Sequence, residues 1–298
     1  MLGFLNLNKP FQWTSHDCVG RVRRLFKTRR VGHGGTLDPL AVGVLPIAVG
    51  QATRLLPYLP SEKRYKAVVR FGVRTDSDDL AGKIIEEHSA SHLTLEAIKA
   101  ELPQFLGKIR QIPPQYSAIQ VDGKRLYQLA RAGIACEVPS REVEIFKLQI
   151  LDWRSGDKPE LTLMVDCGEG TYIRALARDL GDRLGVGATL GGLERQLSGG
   201  MEISQSIGLD ELQRAMDREN PLSLLPPSQV LAHLPLVSLG PEFVKRWYQG
   251  QRLLMPELPL GIVRVEDCQQ TCLGIASVTA ELHGTVLRPK VVMGKVED

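Results

Sequence analysis

Residues 31–43 read VGHGGTLDPLAVG, a turn-forming stretch in which glycines and one proline surround a single aspartate, Asp38. Glycine permits a positive φ and close backbone approach, and Pro39 biases Asp38 towards an extended conformation. The glycines before the aspartate are Gly32, Gly34 and Gly35. The stretch predicts a sharp turn that presents one carboxylate. A plain structural turn accounts for it about equally well, and a phosphate-binding glycine loop is disfavoured, since neither G-x-x-x-x-G-K-[ST] nor a strand followed by G-x-G-x-x-G is present.

The composition is that of a globular chain. Its 298 residues are 43% apolar, 24% charged and 5% aromatic, which predicts one large core and a smaller domain. The five cysteines are odd in number and mostly scattered, as is typical of reduced thiols. The chain has no apolar run of about 18 residues and no secretory signal at its start, so we expect a cytoplasmic protein.

Positive charge is concentrated in the first quarter of the chain. Residues 1–74 carry 13 Lys and Arg against 3 Asp and Glu, whereas residues 75–298 carry 24 against 31. Clustered cations gain affinity for polyanions by releasing counterions, so this block favours RNA or DNA. A solvated helix face is the alternative. The densest group is Arg21, Arg23, Arg24, Lys27, Arg29 and Arg30.

Hydrophobic periodicity predicts helices and strands without a regular βαβ repeat, which favours an α+β fold. The predicted helices are 15–28 with Ser15 as its cap, 94–105, 124–132 ended by Gly133, and 171–184. The predicted strands are 66–71, 143–151 and 161–165.

Four prolines between residues 221 and 235 predict a linker and a domain boundary near residue 230. We therefore expect one domain over 1–229 and a small β-rich domain over 230–298. The short strands predicted in the second domain are 236–239, 261–265, 272–278 and 285–292.

Read with its neighbours, the aspartate turn is one of several motifs that resemble the TruB family of tRNA pseudouridine synthases. The motifs occur in order over roughly 180 residues, and together they are highly specific. They are NKP at 8–10, GHGGTLDPLAVGVLP at 32–46, RYKA at 64–67, QIPPQYSAIQ at 111–120, DGKRLYQLARAG at 122–133 and GTYIRALARDLG at 170–181.

The resemblance implies a fold and a reaction. The fold is a mixed, largely antiparallel sheet with flanking helices, with a mobile insertion, the thumb, over 111–133 and a short or divergent PUA-like domain over 230–298. The reaction breaks the glycosidic bond of uridine 55 in the tRNA T loop, rotates the base and rejoins it through C5, with Asp38 as the catalytic carboxylate. Attack at C1′, attack at C6 and a glycal route stay open. This chemistry requires no metal or organic cofactor.

The resemblance also assigns roles to other residues. It makes Tyr65 an active-site ring that stacks on the flipped base, and it pairs Arg174 with the catalytic carboxylate, which would keep that group ionised. Without the motif, Tyr65 reads as a core residue and Arg174 as a solvated helix residue. The remaining expected substrate-binding residues are Lys9, His33, Lys124, Arg125, Arg131, Tyr172, Arg178 and Leu193.

The partner implied is tRNA, through its T arm and, by way of the PUA-like domain, its acceptor end. We expect a monomer with no membrane association. Four positions depart from the family pattern, and each removes a polar or basic group: Gly34, Gly168, Glu169 and Glu194. Two alternatives are a catalytically silent RNA-binding or tRNA-folding module and an enzyme for another RNA.

Overall fold

The structure, a computed structural model, describes residues 2–117, 120–121, 124–125, 138–217, 223–282 and 284–294. The chain divides into two compact units. The first unit comprises Met1–Pro39, Gly43–Pro60 and Ser198–Asp298, and the second comprises Leu40–Val42 and Ser61–Leu197.

The described residues alternate between strands and helices. The strands are β1 (Gly3–Lys9), β2 (Val31–His33), β3 (Ala41–Val49), β4 (Lys63–Phe71), β5 (Val73–Thr75), β6 (Ile84–Glu87), β7 (Gly107–Gln111), β8 (Gln120–Val121), β9 (Lys124–Arg125), β10 (Arg141–Arg154), β11 (Glu160–Cys167), β12 (Ala188–Ser198), β13 (Met201–Glu202), β14 (Leu236–Leu239), β15 (Leu253–Met255), β16 (Gly261–Asp267), β17 (Cys272–Glu281) and β18 (Gly284–Val292). The α-helices are α1 (Ser15–Leu25), α2 (Leu95–Glu101), α3 (Ile173–Arg183), α4 (Leu209–Met216), α5 (Pro227–Val230) and α6 (Pro241–Tyr248). Short 3-10 helices cover Gly50–Tyr58, Leu102–Phe105 and Ile203–Gln205.

In the first unit, strands β1 and β2 both pair antiparallel with β3. Helix α1 packs its apolar stripe on this sheet, because Val19 and Val22 share a core with Leu7 and Ile47. The helix predicted over 15–28 is confirmed, although it ends at Leu25.

The cap of α1 differs from the prediction. Thr14, in the extended region, accepts a hydrogen bond from the Asp17 backbone, and the Asp17 side chain accepts one from the Thr14 backbone. This reciprocal pair is a capping box. The predicted cap at Ser15 was wrong because that residue already lies inside the helix.

In the second unit, the strands run in the order β12-β4-β11-β10-β7, and the pairs from β4 to β7 are antiparallel. The strands predicted over 66–71, 143–151 and 161–165 are confirmed and extended. Helix α3 confirms most of the helix predicted over 171–184, and it buries Ile173, Leu176 and Leu180.

The helix predicted to start at Lys124 was wrong at its start. Lys124 and Arg125 form β9, which pairs antiparallel with β8. The two residues between these strands are Asp-Gly in sequence, the usual signature of a two-residue hairpin connection. The rest of that prediction, with Gly133 as its stop, lies outside the described residues.

Residues 236–292 contain a five-stranded sheet in the order β14-β16-β17-β18-β15. The four predicted strands are confirmed, and β15 and α6 are additional. Trp247 on α6 is fully buried, and its indole N–H donates to the Leu273 carbonyl at 3.0 Å. With the mixed sheets, the α+β class is confirmed.

One core joins the beginning and the end of the described chain. Phe4 and Ala52 pack in the same buried cluster as Leu231, Ile275 and Val291. These residues all belong to the first unit. The domain boundary near residue 230 stays a prediction.

Candidate active site

The turn that carries Asp38 lies between β2 and β3, and its two neighbours are held by other residues. The Leu37 N–H donates to the Ser15 hydroxyl at 2.9 Å, and that hydroxyl donates to the Leu37 carbonyl at 3.2 Å. The Pro39 carbonyl accepts from the Gln12 N–H at 2.9 Å and from Lys9 Nζ at 3.3 Å. Asp38, itself partly exposed, is therefore presented by a backbone fixed on both sides.

Lys9 is fully buried. Besides Pro39, its ammonium donates to the carbonyls of Pro10 at 2.9 Å and Trp13 at 2.6 Å. A buried ammonium has three N–H groups and needs partners for them. Lys9 therefore organises the segment that faces the Asp38 turn.

Two further backbone features shape this turn. Gln12, whose N–H reaches Pro39, has a φ of +64°, an uncommon conformation for a residue with a side chain. Gly35 has a φ of +113°, which glycine adopts without strain. The turn was predicted to require glycine, and at Gly35 the reason is this positive φ.

Gly34 meets a different need, close packing. A Cβ at this position would lie 2.8 Å from Leu59 Cδ1 and 3.3 Å from Pro46 Cβ. The leucine side chain occupies the space that a larger residue would take. A larger residue at position 34 would therefore require the Leu59 side chain to move.

His33 ends β2, where its backbone pairs with Ile47 of β3, and its residue surface is partly exposed. The structure thus places Lys9, His33 and Asp38 in the first unit.

The second unit carries the other predicted site residues. Tyr65 on β4 is 7% exposed and lies opposite Val165 on β11. Its neighbour Arg64 forms an ion pair with Asp166, Nε to Oδ1 at 2.5 Å. Leu193 lies on β12 and is partly buried.

Burial also affects Lys63, at the start of β4. It lowers the pKa of this ammonium, and the nearby charge of Arg195 lowers it further. Both effects disfavour the charged form of Lys63, which lies two residues before Tyr65 on the same strand.

Arg174, in the first turn of α3, is 4% exposed. Its guanidinium donates to the carbonyls of Ser77 and Tyr116, both at 2.9 Å, and Nη1 lies 3.6 Å from Asp79 Oδ2. These contacts fix the direction of the side chain. Its pairing with Asp38 stays a prediction.

Arg178, one turn later, spreads its guanidinium over three partners. Nη1 donates to Asp78 Oδ2 at 2.7 Å, Nη2 to the Ile112 carbonyl at 2.7 Å, and Nε to Asp179 Oδ1 at 2.9 Å. Burial raises the pKa of the Asp78 carboxyl, while the charges of Arg178 and Arg174 oppose that rise. Arg178 thus joins α3 to the residues that open the predicted thumb.

Tyr172 precedes α3 and is held through its backbone. Its N–H donates to Gln111 Oε1 at 3.0 Å, and Gln111 Nε2 donates back to its carbonyl at 3.3 Å. Gln111 is fully buried, and Arg141 lies over the Tyr172 ring at 6.0 Å. Gln111 thus holds the backbone of Tyr172, and Arg141 contacts its ring.

Of the predicted thumb cations, Lys124 and Arg125 lie on β9, whereas Arg131 lies outside the described residues. Helix α3 brings together Tyr172, Arg174 and Arg178. Sequence reasoning missed Ser15, Gln111 and Asp78. Gln111 and Ser15 could be found only from their partners, since a lone polar residue carries no signal of its own.

Among the residues that the structure describes, no three His, Cys, Asp or Glu side chains are grouped as a metal site would require. Over the same residues, no helix has the length and hydropathy needed to cross a bilayer.

Comparison with known families decides the relationship of this chain. A model described as TruB family pseudouridylate synthase (N terminal domain) matches residues 23–173. The chain belongs to the TruB family. A second model, described as Pseudouridine synthase II TruB, C-terminal, matches residues 235–293.

Several curated relatives of this chain share one protein name. The TruB chain is 65% identical over 295 residues to "tRNA pseudouridine synthase B" of Synechocystis sp., covering 98% of this chain and all of the relative. It is 52% identical over 293 residues to the protein of that name in Trichormus variabilis, with 98% of each chain covered.

Solved structures support the fold of this TruB chain. A chain in the crystal structure of a Cbf5-Nop10-Gar1 complex matches with a TM-score of 0.75 and 24% identity, covering 97% of this chain and 84% of that one. A chain in an archaeal box H/ACA sRNP Nop10-Cbf5 complex matches with a TM-score of 0.72 and 23% identity over 97% and 85%. Both likenesses concern architecture.

Proposed function

We propose that this TruB chain is a tRNA pseudouridine synthase that converts uridine 55 in the T loop to pseudouridine, with Asp38 as the catalytic carboxylate. The observation that carries the proposal is the Asp38 turn, in which Ser15 and Lys9 hold the residues on either side of one carboxylate. The shared name of the curated relatives supports the substrate.

In the proposed reaction, the C1′–N1 bond of the uridine breaks, the base rotates, and a C1′–C5 bond forms. The C5 proton then leaves and N1 gains one, so the product is an isomer of the substrate. Asp38 acts at the sugar or the base, and a backbone fixed at Leu37 and Pro39 keeps it in place without reorganisation.

The other predicted residues surround the flipped base. The Tyr65 ring stacks on it, and Arg174 keeps the Asp38 carboxylate ionised and oriented. Leu193 and Tyr172 line the pocket, and His33 occupies the place that the uridine leaves. These roles follow from the family motif, and the burial of Tyr65 and Arg174 supports preorganised positions.

Recognition uses the T arm, whose unstacked loop bases can be splayed out and read. The thumb at 111–133 closes over the loop with Lys124, Arg125 and Arg131, and residues 230–298 contact the acceptor end. The enzyme works as a monomer in the cytoplasm, without metal or organic cofactor.

The test uses an unmodified tRNA transcript and the purified full chain, with pseudouridine mapped by chemical labelling and primer extension. Wild type gives one stop that reports position 55. Asp38→Asn abolishes it and leaves tRNA affinity nearly unchanged, because only the carboxylate charge is lost. Glu211→Gln, which removes an exposed carboxylate of the same unit, keeps full activity. Modification by Asp38→Asn at the wild-type rate would contradict the proposal.

A further inference from the structure

A group of exposed cations follows the buried face of α1. The 24–30 cation cluster comprises Arg24, Lys27, Arg29 and Arg30, all exposed. In the described part of the chain, none of them lies within ion-pair distance of a carboxylate. Surface cations are normally interspersed with acidic residues, so this cluster leaves a concentrated positive potential on the first unit.

A groove begins at the last member of this cluster. Its cavity of about 540 Å³ is lined by Arg30, Gln51, Thr53, Arg54, Val292 and Gly294. The described lining contains two guanidinium groups, an amide and a hydroxyl, and no acidic side chain. Such a lining suits an anion, since one planar guanidinium group can donate two parallel hydrogen bonds to the oxygens of a phosphate group.

The groove is built from three segments that are tied together. The Gly50 N–H donates to the Arg30 carbonyl at 2.7 Å, and the Gly294 N–H donates to Gln51 Oε1 at 2.7 Å. Arg54 Nη1 donates to the Val292 carbonyl at 2.6 Å. These bonds fix the walls while leaving other guanidinium N–H groups of Arg54 available, so an anion would meet a preformed site.

The local helix adds to the charge. Gln51 lies in the first turn of the 3-10 helix Gly50–Tyr58, the end at which helical N–H groups give a partial positive charge. The groove also exceeds the size of one phosphate group and is continuous in sequence with the 24–30 cation cluster through Arg30. These features fit a polymeric anion better than a small ion.

We propose that this groove binds a phosphodiester group of the RNA backbone, held by Arg30 and Arg54, with the 24–30 cation cluster guiding the adjoining strand. The proposal rests on the proposed function, because tRNA is the RNA concerned. The contact is with the backbone and adds affinity without selecting the target base.

The experiment measures equilibrium binding of a tRNA transcript to the full chain over a series of salt concentrations. Arg30→Gln and Arg54→Gln each weaken binding roughly three- to tenfold at low salt and reduce the slope of log affinity against log salt by about one. Arg30→Lys keeps most of the slope because it keeps the charge. Arg214→Gln removes an exposed cation of the same unit that lies outside the groove and outside residues 230–298, and it leaves both quantities unchanged.

Arg30 is the primary variant, because its side chain has no hydrogen bond to another described residue that the substitution would remove. Equal affinity and slope for wild type and Arg30→Gln would overturn the proposal, as would an equal loss in Arg214→Gln. The proposed function would be contradicted by a different result, namely that wild type forms no pseudouridine. The binding measurement still decides the groove in that case.

Discussion

Ser15 and Lys9 reach the Asp38 turn from the amino-terminal segment and hold the residues on either side of the aspartate. A reacting group misplaced by about 1 Å can lose a large factor in rate, roughly 100-fold in severe cases. The hydrogen bonds of Ser15 should therefore matter for turnover as well as for stability.

Replacing Ser15 tests this directly. Ser15→Ala removes both hydrogen bonds to Leu37 and should cost about 1–2 kcal/mol in free energy of unfolding, measured by urea denaturation. It should also lower the single-turnover rate at saturating tRNA. Thr14→Ala is the control, because it loses the cap of α1 at a similar cost of about 1 kcal/mol but does not contact the Asp38 turn. Equal turnover in the two variants would contradict a positioning role for Ser15.

Among single residues, Asp38 could be identified from the sequence because its neighbours strongly restrict the backbone. The sequence analysis wrongly made Ser15 the cap of α1, because serine is suited both to a helix cap and to a tertiary hydrogen bond. The adjacent Thr14 is suited to the cap equally well. The burial of Lys9 also could not be foreseen, because the three carbonyls that receive its ammonium become neighbours only in the folded chain.

Among the elements, α3 connects the largest number of predicted site residues. Sequence periodicity placed this helix correctly. The resemblance made Arg178 an expected substrate-binding residue, which for an arginine suits a contact with an RNA phosphate. In the structure its guanidinium donates to Asp78, Asp179 and the Ile112 carbonyl. Those partners are separated from it by up to 100 residues, beyond the reach of local patterns.

Arg178→Met separates the two roles. Removing one partner of a largely buried ion pair should lower the free energy of unfolding by about 3 kcal/mol. The salt dependence of tRNA binding should stay as in wild type, because no phosphate contact is lost. A slope reduced by about one would instead support the phosphate contact.

A matched variant on the same helix is Arg183→Gln, whose ion pair with Glu101 is exposed. It should cost less than about 1 kcal/mol, because exposed pairs are screened by solvent. Both variants are compared by urea denaturation, and equal losses would count against the structural role of Arg178.

The pairing of β17 with β18 requires a glycine at position 274. Gly274 has a φ of +140°, and a Cβ there would lie 1.8 Å from the Val291 carbonyl oxygen. Gly274→Ala should lower the free energy of unfolding by about 3 kcal/mol or more, since both strain and backbone displacement add to the cost. Gly250→Ala, at a φ of +72° with open space around its Cβ, should cost only about 1 kcal/mol. Thermal unfolding of both variants distinguishes a steric cause from a conformational one.

At the scale of the whole molecule, the fully buried thiols of Cys18 and Cys167, both in the described part of the chain, connect packing with pH. Burial raises the pKa of Cys18 and of Cys167 from an ordinary 9.0 to about 11. Between these values the folded chain retains protons that the unfolded chain has lost. The stabilising contribution is therefore complete below pH 9 and disappears as the pH rises towards 11.

Cys167→Ala should remove this dependence for one thiol. The free energy of unfolding is measured by urea denaturation for the variant and for wild type at pH 8 and at pH 10. The difference, variant minus wild type, should shift by about 1.4 kcal/mol in favour of the variant between pH 8 and pH 10. Cys268→Ala, which removes an exposed thiol, should run parallel to wild type. Parallel curves for all three proteins would show that the Cys167 thiol does not titrate differently in the folded state.

The whole-molecule organisation was only partly predictable. Local alternation in the sequence was enough to find the strands of residues 236–292 and the α+β class. It could not predict that Ile275 and Val291 share a core with Phe4, because a buried apolar residue does not specify which distant apolar residue it meets.

That shared core also bears on synthesis at the ribosome. The strand containing Phe4 emerges first, yet Ile275, Val291 and Met293 of the same core are translated about 270 to 290 residues later. Nascent domains usually fold in the order in which they are made. Here the core around the earliest strand is completed only by the latest ones, so an interrupted translation product would leave part of that core exposed to chaperones and proteases.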